Sequence, residues 1–252
     1  MQVIEKGGEN PDLVVVGSVH GDEPSGKKAI KRLLDKNPEF QKPVKFVVAN
    51  EKALSHGTRY VDKDLNSSFP GNSESDKHEE ELAHKISEHV EDKTVLDLHS
   101  TRSTEKPFAN IKDLSERTKD LVGSTGVENS TCFEEESGVL IEMGSPGILV
   151  ETGPQGTEEA ADKSLNVLEN FLACEGYIDG DCIRSNPDFF RHFDTVYGDW
   201  KFKASNYSKV EKGQVYATRG EDKLKAREDF YPVLMSTDGY EGKLGYKAKK
   251  VS

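Results

Sequence analysis

The chain has 252 residues, 34% hydrophobic and 32% charged, and its 46 acidic and 34 basic side chains give a formal net charge of −12. This acidic excess argues against a protein that mainly binds nucleic acid, because phosphate binding needs patches of Lys and Arg. No apolar run approaches the roughly 20 residues that cross a bilayer, and the N-terminus has no basic segment followed by an apolar one. We therefore expect a cytoplasmic protein without a nucleic acid or membrane partner. The acidity also suggests, as a hypothesis, a salt-rich cytoplasm.

The chain has three cysteines, Cys132, Cys174 and Cys182. Their number is odd, and no two of them form a CxxC pair, so they do not have the pattern of a disulfide framework or a structural zinc site. We expect reduced thiols, in keeping with a cytoplasmic location.

The first two thirds of the chain alternate between short apolar runs and amphipathic stretches. The predicted strands cover residues 13–17, 44–49, 94–98 and 148–150, and the predicted helices cover 27–36, 79–90 and 162–174. Continuous apolar runs indicate strands that are buried on both faces, and the helices carry their apolar residues on one face. Strands that alternate with helices predict an α/β fold with a parallel or mixed sheet covered on both faces.

Two stretches lack this alternation. Residues 61–77 are polar and contain Pro70 and Gly71, which predicts a long loop, and long loops in compact domains are often functional. From about residue 176 aromatic residues and glycines recur without helical periodicity, which predicts β structure. We expect a catalytic domain over residues 1–175 and a β-rich domain over residues 176–252.

Reactive side chains follow three of the predicted strands. His20 and Glu23 come after the first strand, His99 ends the third and Glu151 follows the fourth. The ends of parallel strands meet in one crevice of an α/β sheet, so these side chains can lie together. Two imidazoles and a carboxylate form a known ligand set for catalytic zinc. One HxxE pair is weak support, since most such pairs lie on surfaces, but the joint placement of His20, Glu23 and His99 predicts a zinc site.

Four segments, in this order, resemble the signature segments of the succinylglutamate desuccinylase/aspartoacylase family: His20-Gly-Asp-Glu23, Asp64-Leu-Asn66, Asp97-Leu-His99 and Val150-Glu-Thr-Gly-Pro-Gln155. The stretch from residue 57 to 66 is also similar. The resemblance covers most of residues 12–172 and continues more faintly near residues 231–241. It implies a three-layer, zinc-carboxypeptidase-like α/β fold, with a mixed sheet between helices and a smaller β-rich C-terminal domain. It also implies a zinc-dependent amidohydrolase that cleaves the linear amide of a small N-acylated compound.

The resemblance also implies a role for individual residues. One zinc ion per subunit would be held by His20, Glu23 and His99. Glu151 would be the general base, Arg59 would stabilise the oxyanion, and Asn66 and Tyr240 would contact the substrate. Zinc activates water near neutral pH, and a nearby carboxylate can move its proton. We expect Asp64 and Asp97 to orient the ligands rather than to bind metal themselves.

The sequence departs from the family at two substrate-binding positions. Ser67 stands where relatives with acidic substrates have an arginine, and the region from 133 to 147 has no arginine but contains Glu134, Glu135, Glu136 and Glu142. Arg102, close to His99, is the remaining candidate for a cationic anchor. We therefore expect an acidic pocket that repels N-acetylaspartate or succinylglutamate and prefers substrates without a second carboxylate.

Two other functions remain open from the sequence. A zinc carboxypeptidase that acts on peptides shares the same three ligands, although the segments at residues 64–66 and 150–154 favour the amidohydrolase. A non-catalytic acidic binding module would have the same fold but would not hydrolyse an amide. The sequence also leaves open whether the chain forms a homo-oligomer.

Overall fold

The computed structural model describes residues 1–135, 139–239 and 241–251. The strands are β1 (Gln2–Lys6), β2 (Leu13–Gly17), β3 (Val44–Val48), β4 (Thr94–Thr101), β5 (Phe108–Ile111), β6 (Asn129–Cys132), β7 (Gly147–Pro154), β8 (Asp188–Tyr197), β9 (Lys201–Phe202), β10 (Val215–Arg219), β11 (Asp222–Lys225), β12 (Tyr231–Val233) and β13 (Lys243–Lys250). The helices are α1 (Ser25–Asp35), α2 (Glu51–His56), α3 (His78–Val90), α4 (Glu116–Ser124) and α5 (Glu158–Cys174).

A ten-stranded mixed sheet forms the centre of the protein, in the order β1-β3-β2-β4-β7-β5-β6-β8-β13-β12. Strands β3, β2, β4 and β7 run parallel to one another, and β5 lies antiparallel beside β7. The four parallel strands are almost entirely buried, which explains the short apolar run in each of them. Their carboxyl ends lie at one edge of the sheet.

Helices cover both faces of this sheet. On one face, α1, α4 and α5 pack their apolar residues against Leu13, Leu96 and Ile148. On the other face, α3 packs against Val14, Val16 and neighbouring side chains. The predicted three-layer α/β fold is therefore confirmed. Across the described part of the chain, no helix combines the length and the apolar content that crossing a membrane requires.

The C-terminal third of the chain is rich in β structure, as predicted. Strands β8, β13 and β12 extend the central sheet, whereas β9, β10 and β11 form a separate antiparallel sheet with its own apolar cluster around Phe230. The domain boundary between residues 175 and 176 stays a prediction.

The expectation of three reduced cysteines is wrong for two of them. Cys174, at the end of α5, forms a disulfide with Cys182, and Cys132 is free and buried. The chain turns back after α5 and brings the two Cα atoms to 4.7 Å, within the range that a disulfide spans. The two cysteines are eight residues apart along the chain, and this spacing alone did not predict that the chain turns back here. The predicted cytoplasmic location therefore loses its support from reduced thiols.

Candidate active site

The ends of three adjacent parallel strands bring the predicted reactive residues together. His20 follows β2, His99 lies near the end of β4, and Glu151 lies on β7 directly opposite His99. These three residues are buried, as is Glu23. The convergence expected from the strand pattern is thus observed.

A tight turn after β2 directs His20 and Glu23 toward the site. Ser18 adopts a left-handed conformation, with φ of 58°, and its hydroxyl donates to the carbonyl of Glu23 at 3.2 Å. Gly21 lies against α2, and a Cβ there would come within 2.2 Å of the carbonyl carbon of Ala53. The turn therefore needs glycine at this position, because a side chain would push α2 away.

His20, Glu23 and His99 form one compact cluster around the Glu23 carboxylate. The Nδ1 atoms of His20 and His99 lie 2.9 Å and 3.0 Å from its two oxygens. The three ligand atoms all lie within 4.8 Å of one another. The backbone N–H of Ser100 donates to Glu23 Oε2 at 3.0 Å and fixes the carboxylate.

The second ring nitrogen of each histidine faces another carboxylate. His20 Nε2 lies 3.2 Å from Asp64 Oδ1, and His99 Nε2 lies 2.8 Å from Asp97 Oδ2. Metal-binding histidines commonly donate their distal N–H to a carboxylate in this way, which leaves the other nitrogen for the metal. Asp64 and Asp97 thus lie where the sequence predicted ligand-orienting groups.

The electrostatics of the cluster favour a bound cation. Burial opposes ionisation of Glu23, but the imidazoles of His20 and His99 outweigh it and hold the pKa of Glu23 well below its usual range. Burial likewise opposes protonation of the two histidines, but the neighbouring carboxylates raise the pKa of both rings. A divalent cation would compete with these protons for the same nitrogens. The donor set therefore fits Zn²⁺, which prefers nitrogen and carboxylate ligands.

Glu151 is a buried carboxyl group beside this cluster. Its Oε2 atom has no hydrogen-bond partner among the described residues. Burial and the nearby negative charge of Glu23 raise the pKa of Glu151 to about 7. A carboxyl group with such a pKa can both accept and release a proton near neutral pH.

Arg59 reaches the cluster from the loop after α2. Its Nε donates to Asp64 Oδ2 at 2.7 Å, and its Nη1 donates to Glu23 Oε1 at 3.2 Å. The side chain is 31% exposed and lines the pocket above the histidines. Its guanidinium is thus fixed by two carboxylates beside the site.

The loop that carries Arg59 and Asn66 is held by Glu79, at the start of α3. The buried Glu79 carboxylate accepts backbone N–H groups from Val61, Asp62 and Lys63 at 2.7–3.1 Å. Asn66 also lines the pocket, and its Oδ1 accepts the N–H of Leu140 at 3.3 Å. The predicted Tyr240 lies outside the described residues.

The pocket next to the cluster differs from the one predicted. Of the glutamates expected to make it acidic, Glu134, Glu135 and Glu142 do not line it, and Glu134 pairs instead with Arg191 at 2.9 Å on the surface. The expectation is wrong for these three, because they are exposed on the surface, and Glu136 lies outside the described residues. Arg102 is engaged elsewhere: it donates to Gln155 and to the carbonyl of Asp238.

Sequence reasoning missed several residues that line this pocket. Two cations, Lys112 and Lys243, lie in its lining, together with the polar Asn110 and the ring of Tyr246. The short strand β5 places Asn110, and Lys112 directly follows it. The apolar-polar alternation of residues 109–112 was an available signal, but it was too short to identify a strand.

The fold and the site together define a zinc-carboxypeptidase-like α/β protein with a buried His-Glu-His cluster that suits a metal ion. Residues 9–174 match the family model described as the succinylglutamate desuccinylase/aspartoacylase catalytic domain. The chain belongs to this family, as its sequence motifs predicted.

Two curated relatives and one solved structure illustrate the similarity. An N-acyl-aromatic-L-amino acid amidohydrolase (carboxylate-forming) from Xenopus tropicalis is 35% identical over 105 residues, which is 36% of this chain and 34% of the relative. A probable aspartoacylase from Prochlorococcus marinus is 27% identical over 177 residues, 61% of this chain and 57% of the relative. The chain thus spans between about a third and three fifths of these relatives.

The solved structure of a succinylglutamate desuccinylase/aspartoacylase from Rhodobacter sphaeroides has the same fold. Its TM-score is 0.78 at 19% identity, over 99% of this chain and 88% of the other. At this level of identity, the match supports the fold alone.

Proposed function

We propose that this protein is a zinc-dependent amidohydrolase that cleaves the linear amide bond of a small N-acylated compound. The observation that carries the proposal is the buried cluster of His20, Glu23 and His99 with the buried carboxyl group of Glu151 beside it, whose Oε2 has no hydrogen-bond partner among the described residues. The family and the names of its relatives, which include amidohydrolase and aspartoacylase, support the reaction type.

Zinc would be held by His20 Nδ1, His99 Nδ1 and the Glu23 carboxylate. When bound, zinc supplies Lewis acidity that polarises the amide carbonyl and lowers the pKa of a water molecule. Asp97 and Asp64 hold the distal nitrogens of the two rings and so keep the ligand nitrogens directed at the ion.

Glu151 is the proposed general base. It accepts a proton from the water that attacks the amide carbon and delivers this proton to the leaving nitrogen as the C–N bond breaks. The products are a carboxylate and an amine. Glu151 lies beside the cluster and is buried, so the same group can first take up and then release the proton.

Arg59 is the proposed electrophilic partner of the carbonyl oxygen. Its guanidinium is held beside the cluster by Asp64 and Glu23, so it does not have to reorganise as negative charge develops. Removing one such donor typically costs about 100- to 1000-fold in kcat. Asn66 and Tyr240 remain proposed substrate contacts.

This mechanism is tested by comparing the rates of hydrolysis by the zinc-loaded protein and by the zinc-loaded Glu151→Gln variant. We expect zinc-dependent release of amine from N-acyl amino acids or N-acyl amines, and a loss of about 100- to 10,000-fold in kcat for the variant. Glu221→Gln, which changes an exposed carboxylate in the same way, is the matched control.

Three outcomes would contradict the proposal. Full activity of Glu151→Gln would exclude this residue as the base. Cleavage of peptides in preference to N-acyl compounds would favour a zinc carboxypeptidase. Zinc binding without hydrolysis of any substrate would favour a binding module.

A further inference from the structure

Leu234 lies at the boundary between two cavities beside the proposed metal site. The first, the main pocket, has a volume of about 430 Å³ and is the one that Glu151 lines. The second, a cleft lined by Ser100 and Gln155, measures about 20 Å³, which is room for one water molecule. Three described residues line both cavities: Glu23, Arg59 and Leu234. Leu234 is therefore the apolar residue of the wall that the two cavities share.

The backbone of Leu234 has a conformation that leucine rarely adopts. The residue directly follows β12, and its φ of 51° lies in the left-handed region, where a Cβ atom costs free energy. The side chain is almost completely buried, with 6% exposed. Glycine would relieve the strain but would leave a gap in the shared wall, so the strain is tolerated for the sake of the leucine side chain. Strained residues of this kind cluster at functional sites.

Two sets of contacts hold this strained backbone in place. The side chain of Asn206 accepts the N–H of Met235 at 2.9 Å and donates to the carbonyl of Met235 at 2.9 Å. It also donates to the carbonyl of Ser103 at 2.8 Å, which ties the segment to the loop after β4. Gly245, on β13, comes so close that a Cβ there would lie 2.7 Å from the carbonyl oxygen of Leu234. The position of Leu234 beside the site is therefore fixed by its surroundings.

The roles proposed for the catalytic residues leave one direction for the acyl chain of the substrate. The carbonyl oxygen faces Arg59, and the leaving nitrogen faces Glu151, which lines the main pocket but not the cleft. The amide carbon is trigonal, so its third substituent, the acyl chain, points away from both of these groups. The wall that Arg59 shares with Leu234 lies on this side, toward the cleft.

We propose that Leu234 is a specificity-determining residue that limits the length of the acyl group, and that Asn206 positions it. The main pocket receives the amine part of the substrate, and Leu234 closes the side on which the acyl chain lies. A chain that is longer by three carbons needs the volume that the Leu234 side chain fills. This inference rests on the proposed amide hydrolysis and adds to it the residue that selects the acyl group.

The test uses N-acetyl and N-pentanoyl derivatives of two amines, leucine and 3-methylbutylamine. These amines differ only in the carboxylate, so a preference that both pairs share concerns the acyl group alone. Leu234→Ala removes three carbon atoms, the number by which pentanoyl exceeds acetyl. The unmodified enzyme should favour acetyl, and the ratio of kcat/KM for pentanoyl to kcat/KM for acetyl should rise about 10- to 100-fold in the variant. Leu234→Gly, which suits the left-handed backbone, should raise the ratio as well.

Three further variants separate the role of Leu234 from a general loosening of the pocket. Leu234→Met keeps the volume and should keep the preference for acetyl. Leu149→Ala removes the same side chain from a position that lines the main pocket but not the cleft, and it should leave the ratio unchanged. Asn206→Ala should raise the ratio by a smaller factor, because Met235 loses both hydrogen bonds that hold it. Equal ratios in Leu149→Ala and Leu234→Ala would overturn the proposal.

Binding without turnover separates a failure of this inference from a failure of the proposed function. Acetohydroxamate and pentanohydroxamate carry the two acyl chains and bind zinc through the hydroxamate group. Calorimetry with zinc-loaded protein should show that Leu234→Ala raises the affinity for pentanohydroxamate, relative to acetohydroxamate, by about 10- to 100-fold. This shift without hydrolysis of any amide would support the role of Leu234 and contradict the proposed function. Hydrolysis with an unchanged chain-length preference in Leu234→Ala and Leu234→Gly would contradict the role of Leu234 alone.

Discussion

The ring of His99 lies between two carboxylates, with Nε2 2.8 Å from Asp97 Oδ2 and Nδ1 3.0 Å from Glu23 Oε2. Asp97 is fully buried, on the same strand as His99 and two residues before it. The strand period places both side chains on one face, so the backbone of β4 itself fixes the orientation of the ring. Nδ1, the nitrogen that would face the proposed zinc ion, is thereby oriented by the protein itself.

Asp97→Asn should weaken zinc binding by about 10- to 100-fold, because a neutral amide replaces the carboxylate that accepts the Nε2–H of His99. Competition against a fluorescent chelator measures this affinity. Asp181→Asn, on an exposed carboxylate, should leave it unchanged. An unaltered affinity in Asp97→Asn would show that the His99 ring is oriented by packing alone.

Glu79 stabilises the loop that carries Arg59. Its carboxylate accepts three backbone N–H groups and the side-chain amide of Asn50. Glu79→Ala should lower the free energy of unfolding by about 2–4 kcal/mol, since the buried Asn50 amide and three part-buried backbone N–H groups lose their partner at once. Urea unfolding measures this change, and Glu81→Ala, on the exposed side of the same helix turn, is the control.

Glu79 should also make stability depend on pH. Burial opposes its ionisation, but the hydrogen bonds outweigh burial and lower its pKa below the ordinary 4.5. A carboxylate whose pKa is lowered in the folded state stabilises the fold fully above pH 4.5. This stabilisation is lost as the pH falls through the lowered pKa of the folded protein. The stability difference between the unmodified protein and Glu79→Ala should therefore shrink in acid. A constant difference from pH 7 to pH 3 would contradict this.

The sequence predicted the parallel half of the fold well. Strands β2, β3, β4 and β7 each contain a short apolar run, and each lies within a few residues of its predicted position. The same pattern predicted that His20, His99 and Glu151 converge, because their relation depends only on strand ends.

The rest of the site depends on contacts that local pattern does not contain. Strand β5 has four residues, too few for a periodic signal, so Asn110 was not expected in the pocket. Glu134 lies on the surface and pairs with Arg191, 57 residues away along the chain. The disulfide between Cys174 and Cys182 forms because the chain turns back after α5. The two cysteines are eight residues apart and do not form a CxxC pair, so the sequence did not indicate it. Each of these errors arose where tertiary contacts outweigh sequence pattern.

Zinc binding should raise the thermal stability of the protein. A ligand that binds only the folded state at 100 times its Kd adds about 2.7 kcal/mol, which corresponds to several degrees in Tm for a chain of this size. Differential scanning fluorimetry with zinc and with chelator measures the shift. His20→Ala should abolish it, and His56→Ala, on the surface, should retain it. An equal shift in both variants would place the zinc elsewhere.

Glu151→Gln should make the metal-free protein more stable, although it removes the proposed base. Burial and Glu23 raise the pKa of Glu151 to about 7, above its ordinary 4.5. A carboxyl group whose pKa is raised in the folded state contributes to stability when it is protonated, at low pH. This contribution to the free energy of unfolding is lost as the pH rises from 4.5 through about 7. The variant should therefore unfold a few degrees higher at pH 8 in the presence of chelator, with a smaller gain at pH 5. Thermal melts at the two pH values test this, with Glu221→Gln as the control. A variant less stable than the unmodified protein at pH 8 would mean that favourable contacts of the Glu151 carboxylate outweigh its burial and its repulsion from Glu23.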